Sequence, residues 1–170
     1  MLNDLLLLEL FYTMHRWNAA RRWRIPRRKY RVMMPVDLRD TRDYETPAAN
    51  VIGYSFLTHK ASDLRDRRRL AGRIGEETAL IKYAHLGANF VEMVRMGANV
   101  RGLLPLVTSM PRTLATVILS NVGDPSRRFL AKFPRHAGRL VCGNLTLETI
   151  RGVPPMRPKT RGAFSISSYR

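Results

Sequence analysis

A chain of 170 residues that is 45% hydrophobic is long enough to bury a core and too apolar for a disordered tail. Its formal charge of +17 fits nucleic acid, an anionic membrane surface or an acidic ligand, and singles out none of them. The lone Cys142 excludes an internal disulfide, and no CxxC or His/Cys cluster offers a zinc site, so no metal is expected.

The N-terminal leucine run follows Asp4 and is broken by Glu9. It has no basic region before it and no small-residue cleavage site after it. It therefore reads as neither signal peptide nor membrane span, and a cytoplasmic protein without a transmembrane segment is expected. Residues 3–23 are predicted helical, because Leu2, Leu5, Leu6, Leu10, Met14 and Trp17 recur at helical spacing and Asn3 or Asp4 can cap the first amides. Eight basic residues and no acidic one fall between Arg16 and Arg31. "KYRVMMPV", 29–36, reads as a strand, and residues 37–50 as a polar loop. "VIGYSFLTHK", 51–60, reads as a second strand, where Gly53 marks a close backbone approach or a bulge.

Residues 61–111 read as mostly helical, capped by Ser62 or Asp63 and divided by Gly72, Gly75, Gly87 and Gly97 into two or three helices. A third strand is expected at 113–119. A fourth is expected at 138–150, or two with a turn at Gly143-Asn144, and a fifth at 162–169. Cys142 follows Leu140 and Val141, which predicts a buried, inert thiol. The fold class is thus α/β (α+β): one domain over residues 1–170, with one mixed sheet and helices packed on it.

Four segments in order, "LNDLLLLELFYTMHRWN", "YRVMMPVDLRD", "NVIGYSFLT" and "LATVILSNVGDPSRRF", together resemble the C-terminal half of the condensation-domain-like acyltransferases. That family includes peptide-synthetase condensation domains, wax ester synthases and alcohol acetyltransferase relatives, all with the fold of chloramphenicol acetyltransferase. The resemblance implies a two-lobed protein around a tunnel, with acyl-CoA or an acyl carrier protein as donor and an alcohol or amine as acceptor. It also implies a catalytic HHxxxDG motif in the other lobe, whose second histidine is the general base. In this sequence His15, His59, His85 and His136 are never adjacent, so the motif is not in this chain. The expectation is a lobe that is inactive alone and binds no cofactor: a split or truncated frame, or a remnant. It would need the missing N-terminal subdomain, or associate with itself through an exposed apolar face.

The resemblance also names residues. Ser120, Asn121 and Gly123 match a Ser-Asn-x-Gly at the end of a tunnel-lining strand, where a hydroxyl and an amide can hydrogen-bond a thioester or a pantetheine arm. Asn3 and Asp4 match an Asn-Asp pair on a tunnel-side helix. Arg39 matches an arginine that pairs with the catalytic-motif aspartate. Asn50 and Gly53 match an Asn-x-x-Gly around a strand. Local physics alone reads these as helix cap, solvated charge, turn and bulge. The stretch His59-Lys-Ala-Ser-Asp63 fits HxxxD but lacks the first histidine and the glycine, so it reads as a solvated loop with a helix cap. Trp23 and Tyr30 lie among arginines, a pattern that can stack single-stranded bases. No recognised binding motif accompanies them, which weighs against nucleic acid. The competing reading is a non-catalytic basic module for nucleic acid, anionic lipid or a partner protein.

Overall fold

The computed structural model describes residues 1–21, 29–39, 51–109, 114–123, 133–149, 152 and 160–167. Helix α1, Leu2–Ala20, buries Leu7, Leu8, Leu10, Phe11 and Met14. This is a stripe at helical spacing, rotated from the expected one: Leu2, Leu5 and Trp17 are exposed. Strands β1, Lys29–Asp37, and β2, Ile52–Lys60, pair antiparallel along their whole length. A short 3-10 helix, Ala61–Arg65, then leads into α2, Arg67–Tyr83. Helices α3, Leu86–Ala98, and α4, Leu103–Ser109, follow.

Three helices fall within the two or three that the glycines implied; Gly87 and Gly97 lie near the ends of α3, but the other two glycines mark no break. Gly72 and Gly75 lie inside α2, and the chain turns at His85, which has left-handed backbone with φ of 48°. The cap of α2 is Asp66, whose Oδ1 accepts the Arg69 amide at 2.9 Å. Asp63 instead closes the 3-10 turn by accepting the Lys60 amide at 2.8 Å.

Strand β3, Val117–Gly123, runs parallel to β1, and β7, Gly162–Ser167, runs parallel to β3. The result is one mixed four-stranded sheet in the order β2-β1-β3-β7. The parallel β1–β3 pairing requires a long crossover, and the helices α2–α4 supply it. A second, three-stranded antiparallel sheet adds to the single one expected. It comprises β4, Arg135–His136, β5, Arg139–Cys142, and β6, Leu145–Thr146. Gly143, at φ of 61°, makes the expected turn between β5 and β6. Cys142 is exposed there, not buried as expected, because it is the last residue of the short strand, at the turn.

Period-two alternation assigns the faces of the main sheet. Tyr30, Val32, Met34, Leu57, Val117 and Leu119 join the core built with α1 and α2. Ile118 and Ser120 take the opposite face. Gly53 sits where β2 meets α3: a Cβ there would overlap the carbonyl oxygen of Gly87. Of the two readings of Gly53, the close backbone approach holds, and the β1–β2 register runs through it without a bulge.

Candidate functional site

The C-terminal part of β1, strand β3, the start of α1 and the last turns of α2 enclose a cavity of about 360 Å³. Its lining includes Asn3, Asp37, Thr78, Lys82, Leu119 and Asn121. Helical spacing explains the α2 side, since Thr78 and Lys82 are one turn apart. Strand alternation explains Leu119 and Asn121. Two of the residues singled out in the sequence, Asn3 and Asn121, thus line one cavity although they are far apart in the chain.

Neither Asn3 nor Asp4 caps α1, contrary to the local reading; that position is Met1 and carries no side-chain cap. Asn3 Nδ2 donates weakly to the sulfur of Met34 at 3.8 Å. The Asp4 carboxylate accepts the Thr78 hydroxyl at 2.7 Å and so ties α1 to α2. Burial pushes the Asp4 carboxyl up. The Thr78 hydrogen bond, the amino terminus and Lys82 outweigh that and hold it below 3.8.

Asn121 Oδ1 accepts the Gly123 amide at 3.1 Å, and Gly123 has left-handed backbone at φ of 65°. The strand therefore ends in an Asx-type turn that fixes the Asn121 side chain at the cavity rim. Ser120 lies in register with Ser165 on the other face of the sheet and does not join the cavity. The backbone amide of Arg39 donates to Asp37 Oδ1 at 3.3 Å just beyond β1, which places Arg39 beside the cavity-lining carboxylate. Gly53 serves packing. Asn50 lies outside the described residues, as do residues 22–28 of the basic segment.

The cavity presents two carboxamides, a carboxylate, an ammonium group and a hydroxyl over an apolar floor. It can hold and orient a polar chain. Asp37, Thr78 and Lys82 were not singled out from the sequence. Thr78 alone carried a signal, since it continues the Leu70, Ile74, Ile81 stripe of α2.

A second polar centre corrects the reading of His59 as part of a solvated loop. His59 is fully buried at the end of β2 and meets the Phe11 ring edge-on, with centroids 4.8 Å apart. Its Nε2 is 3.6 Å from Glu77 Oε2 and its Nδ1 4.0 Å from Asp63 Oδ2. Neither nitrogen has a hydrogen-bond partner among the described residues. Burial pushes its pKa below 6.5. Arg73 adds to the depression, and Glu77 and Asp63 oppose it. The imidazole is thus held neutral in the core, away from the cavity of Asn3 and Asn121.

Among the described residues no group of three His, Cys, Asp or Glu could hold a metal ion. No helix among them is long and apolar enough to cross a membrane. Comparison with protein-family models, with curated proteins and with solved structures found no match to this chain.

Proposed function

We propose that the chain is one lobe of a condensation-like acyltransferase, supplying a wall of the acyl-donor channel and not the general base. The observation that carries this reading is the meeting of Asn3 and Asn121 at one cavity of about 360 Å³. The resemblance names both residues as tunnel-lining, and nothing in local sequence requires them to be neighbours. Of the Ser-Asn pair, the binding role falls to Asn121, which faces the cavity. Its amide and that of Asn3 would hydrogen-bond the polar arm of an acyl-CoA or an acyl carrier protein. The exposed apolar residues of α3 and α4 support a missing partner lobe, since an isolated lobe leaves such surface uncovered.

The test expresses the chain alone and together with an HHxxxDG-bearing segment encoded upstream, and measures thioester consumption across a panel of acyl-CoAs. Turnover is expected only in the combined sample. Asn121→Ala there should lower kcat/KM about tenfold, the worth of one hydrogen bond. Turnover by the chain alone would overturn the assignment of the base to another lobe. No turnover in either sample would overturn the reading itself.

A further inference from the structure

We propose that a row of arginines at the start of α2 binds the phosphodiester backbone of a nucleic acid. Arg69 and Arg73 lie one turn apart on the same face of α2, and Arg65 ends the 3-10 helix just before it. With Ser62, Asp63 and Asp66 they line a surface cavity of about 280 Å³.

The nearby carboxylates are already engaged. Asp66 Oδ1 accepts the backbone amide of Arg69 at 2.9 Å. Asp63 accepts the Lys60 amide and lies 3.5 Å from Arg73 Nη1. Arg67 is held by Glu9. The guanidinium groups of Arg65, Arg68 and Arg69 have no ion pair or hydrogen bond among the described residues.

Their position is also costly to the fold. Arg67, Arg68 and Arg69 fill the first turn of α2, which holds no acidic residue. That end carries the positive pole of the helix dipole, where anions are favoured and cations are not. Repulsion between Arg69 and Arg73 adds to this cost, because like charges one turn apart destabilise a helix. All these arginines are exposed, so packing does not demand them. An anion would relieve both repulsions at once.

The shape of the row narrows the choice of anion. Arg69 and Arg73 are about 6 Å apart along the helix axis, and Arg65 extends the row beyond the cap at Asp66. This suits a line of charges better than a single one, and the planar arginine fork matches phosphate oxygens in pairs. An anionic bilayer fits less well. The apolar neighbours Leu64 and Leu70 are buried, leaving nothing beside the row to insert among acyl chains. The inference does not depend on the acyl-transfer reading.

The experiment measures fluorescence anisotropy of a labelled single-stranded oligonucleotide with the full chain, at about 50 and about 200 mM salt. Three proteins are compared: the wild type, Arg65→Gln/Arg69→Gln, and a charge-matched control, Arg95→Gln/Arg101→Gln on and just beyond α3. The row variant should bind at least about tenfold more weakly and lose about 1.4 from the magnitude of its salt slope, two phosphate contacts for a single strand. The control should change by less than about twofold. Since the row opposes helix stability, its variant should melt no lower than the wild type.

Equal losses in both variants would overturn the site in favour of a diffuse charge field. No binding at the lower salt would overturn it outright. Tighter, row-dependent binding to vesicles of anionic phospholipid would overturn it in favour of a lipid surface. A lower melting temperature in the row variant would show that the arginines serve the fold.

Discussion

His59 and Glu77 face each other across the β2–α2 interface, with 3.6 Å between Nε2 and Oε2, and the imidazole is fully buried. The approach is too long to count as a hydrogen bond. A buried polar group left without a partner costs about 1–3 kcal/mol. The pair is therefore a weak point of the core and a source of pH dependence.

The sign follows from the depressed pKa. Folded His59 takes up a proton less readily than unfolded His59, whose pKa is near 6.5. Stability from this residue is complete above that value and falls as pH drops below it. Urea unfolding at pH 7.5 and pH 5.5 should show the loss, and His59→Leu should reduce it. An unchanged pH dependence in the variant would place the titrating group elsewhere.

Gly53 cannot be enlarged without moving backbone. Gly53→Ala should destabilise the chain by about 1–3 kcal/mol, since the new methyl meets the Gly87 carbonyl instead of a flexible side chain. In a domain of this size that lowers Tm by about 2–4 °C per kcal/mol. Gly72→Ala, where a Cβ meets open space inside α2, should instead be neutral or stabilising.

Thr78 ties α2 to α1 through Asp4. Thr78→Val should cost about 1.5–3 kcal/mol at neutral pH, the range for a hydrogen bond to a charged group. Because the folded Asp4 pKa lies below 3.8, that stability is present above 3.8 and lost as pH falls through the folded value. The difference between wild type and variant should therefore shrink in acid. A difference that is constant with pH would mean that the hydroxyl matters only for packing.

Cys142 is exposed at the end of β5. One thiol per chain should react with a disulfide reagent in the native state, before any denaturant is added. Reaction only after unfolding would contradict its placement.

Helices α3 and α4 and the turn between them leave Met93, Met96, Val100 and Leu106 more than half exposed. Sedimentation should show self-association at both low and high salt, since apolar contacts are not screened. Met96→Lys/Leu106→Lys should shift the chain toward monomer. A clean monomer of the wild type at both salt concentrations would remove the support this surface lends to a missing lobe.

Most of the secondary structure was legible in the sequence because local patterns dictate it. β1 and β2 fall where branched and aromatic residues cluster, and β5 and β6 turn at Gly143-Asn144. β7 lies within the alternating segment expected to form it. Gly53 pointed to a close contact or a bulge, because a missing side chain inside a strand needs a reason. The strand expected to stop at Leu119 instead runs on to Gly123, since pairing with β7 carries the backbone through Ser120 and Asn121.

What tertiary structure alone decided is which polar groups meet. Whether His59 was solvated or buried depended on α1 and α2 closing over the end of β2, and no local pattern records that. Ser120 and Asn121 are adjacent in sequence, yet alternation sends them to opposite faces, so only one reaches the cavity. The stripe of α1 was rotated for the same reason: its leucines are apolar nearly all round, and the sheet it packs on chose the buried face. Sequence periodicity sets the elements, while faces and neighbours are fixed by packing between segments far apart in the chain.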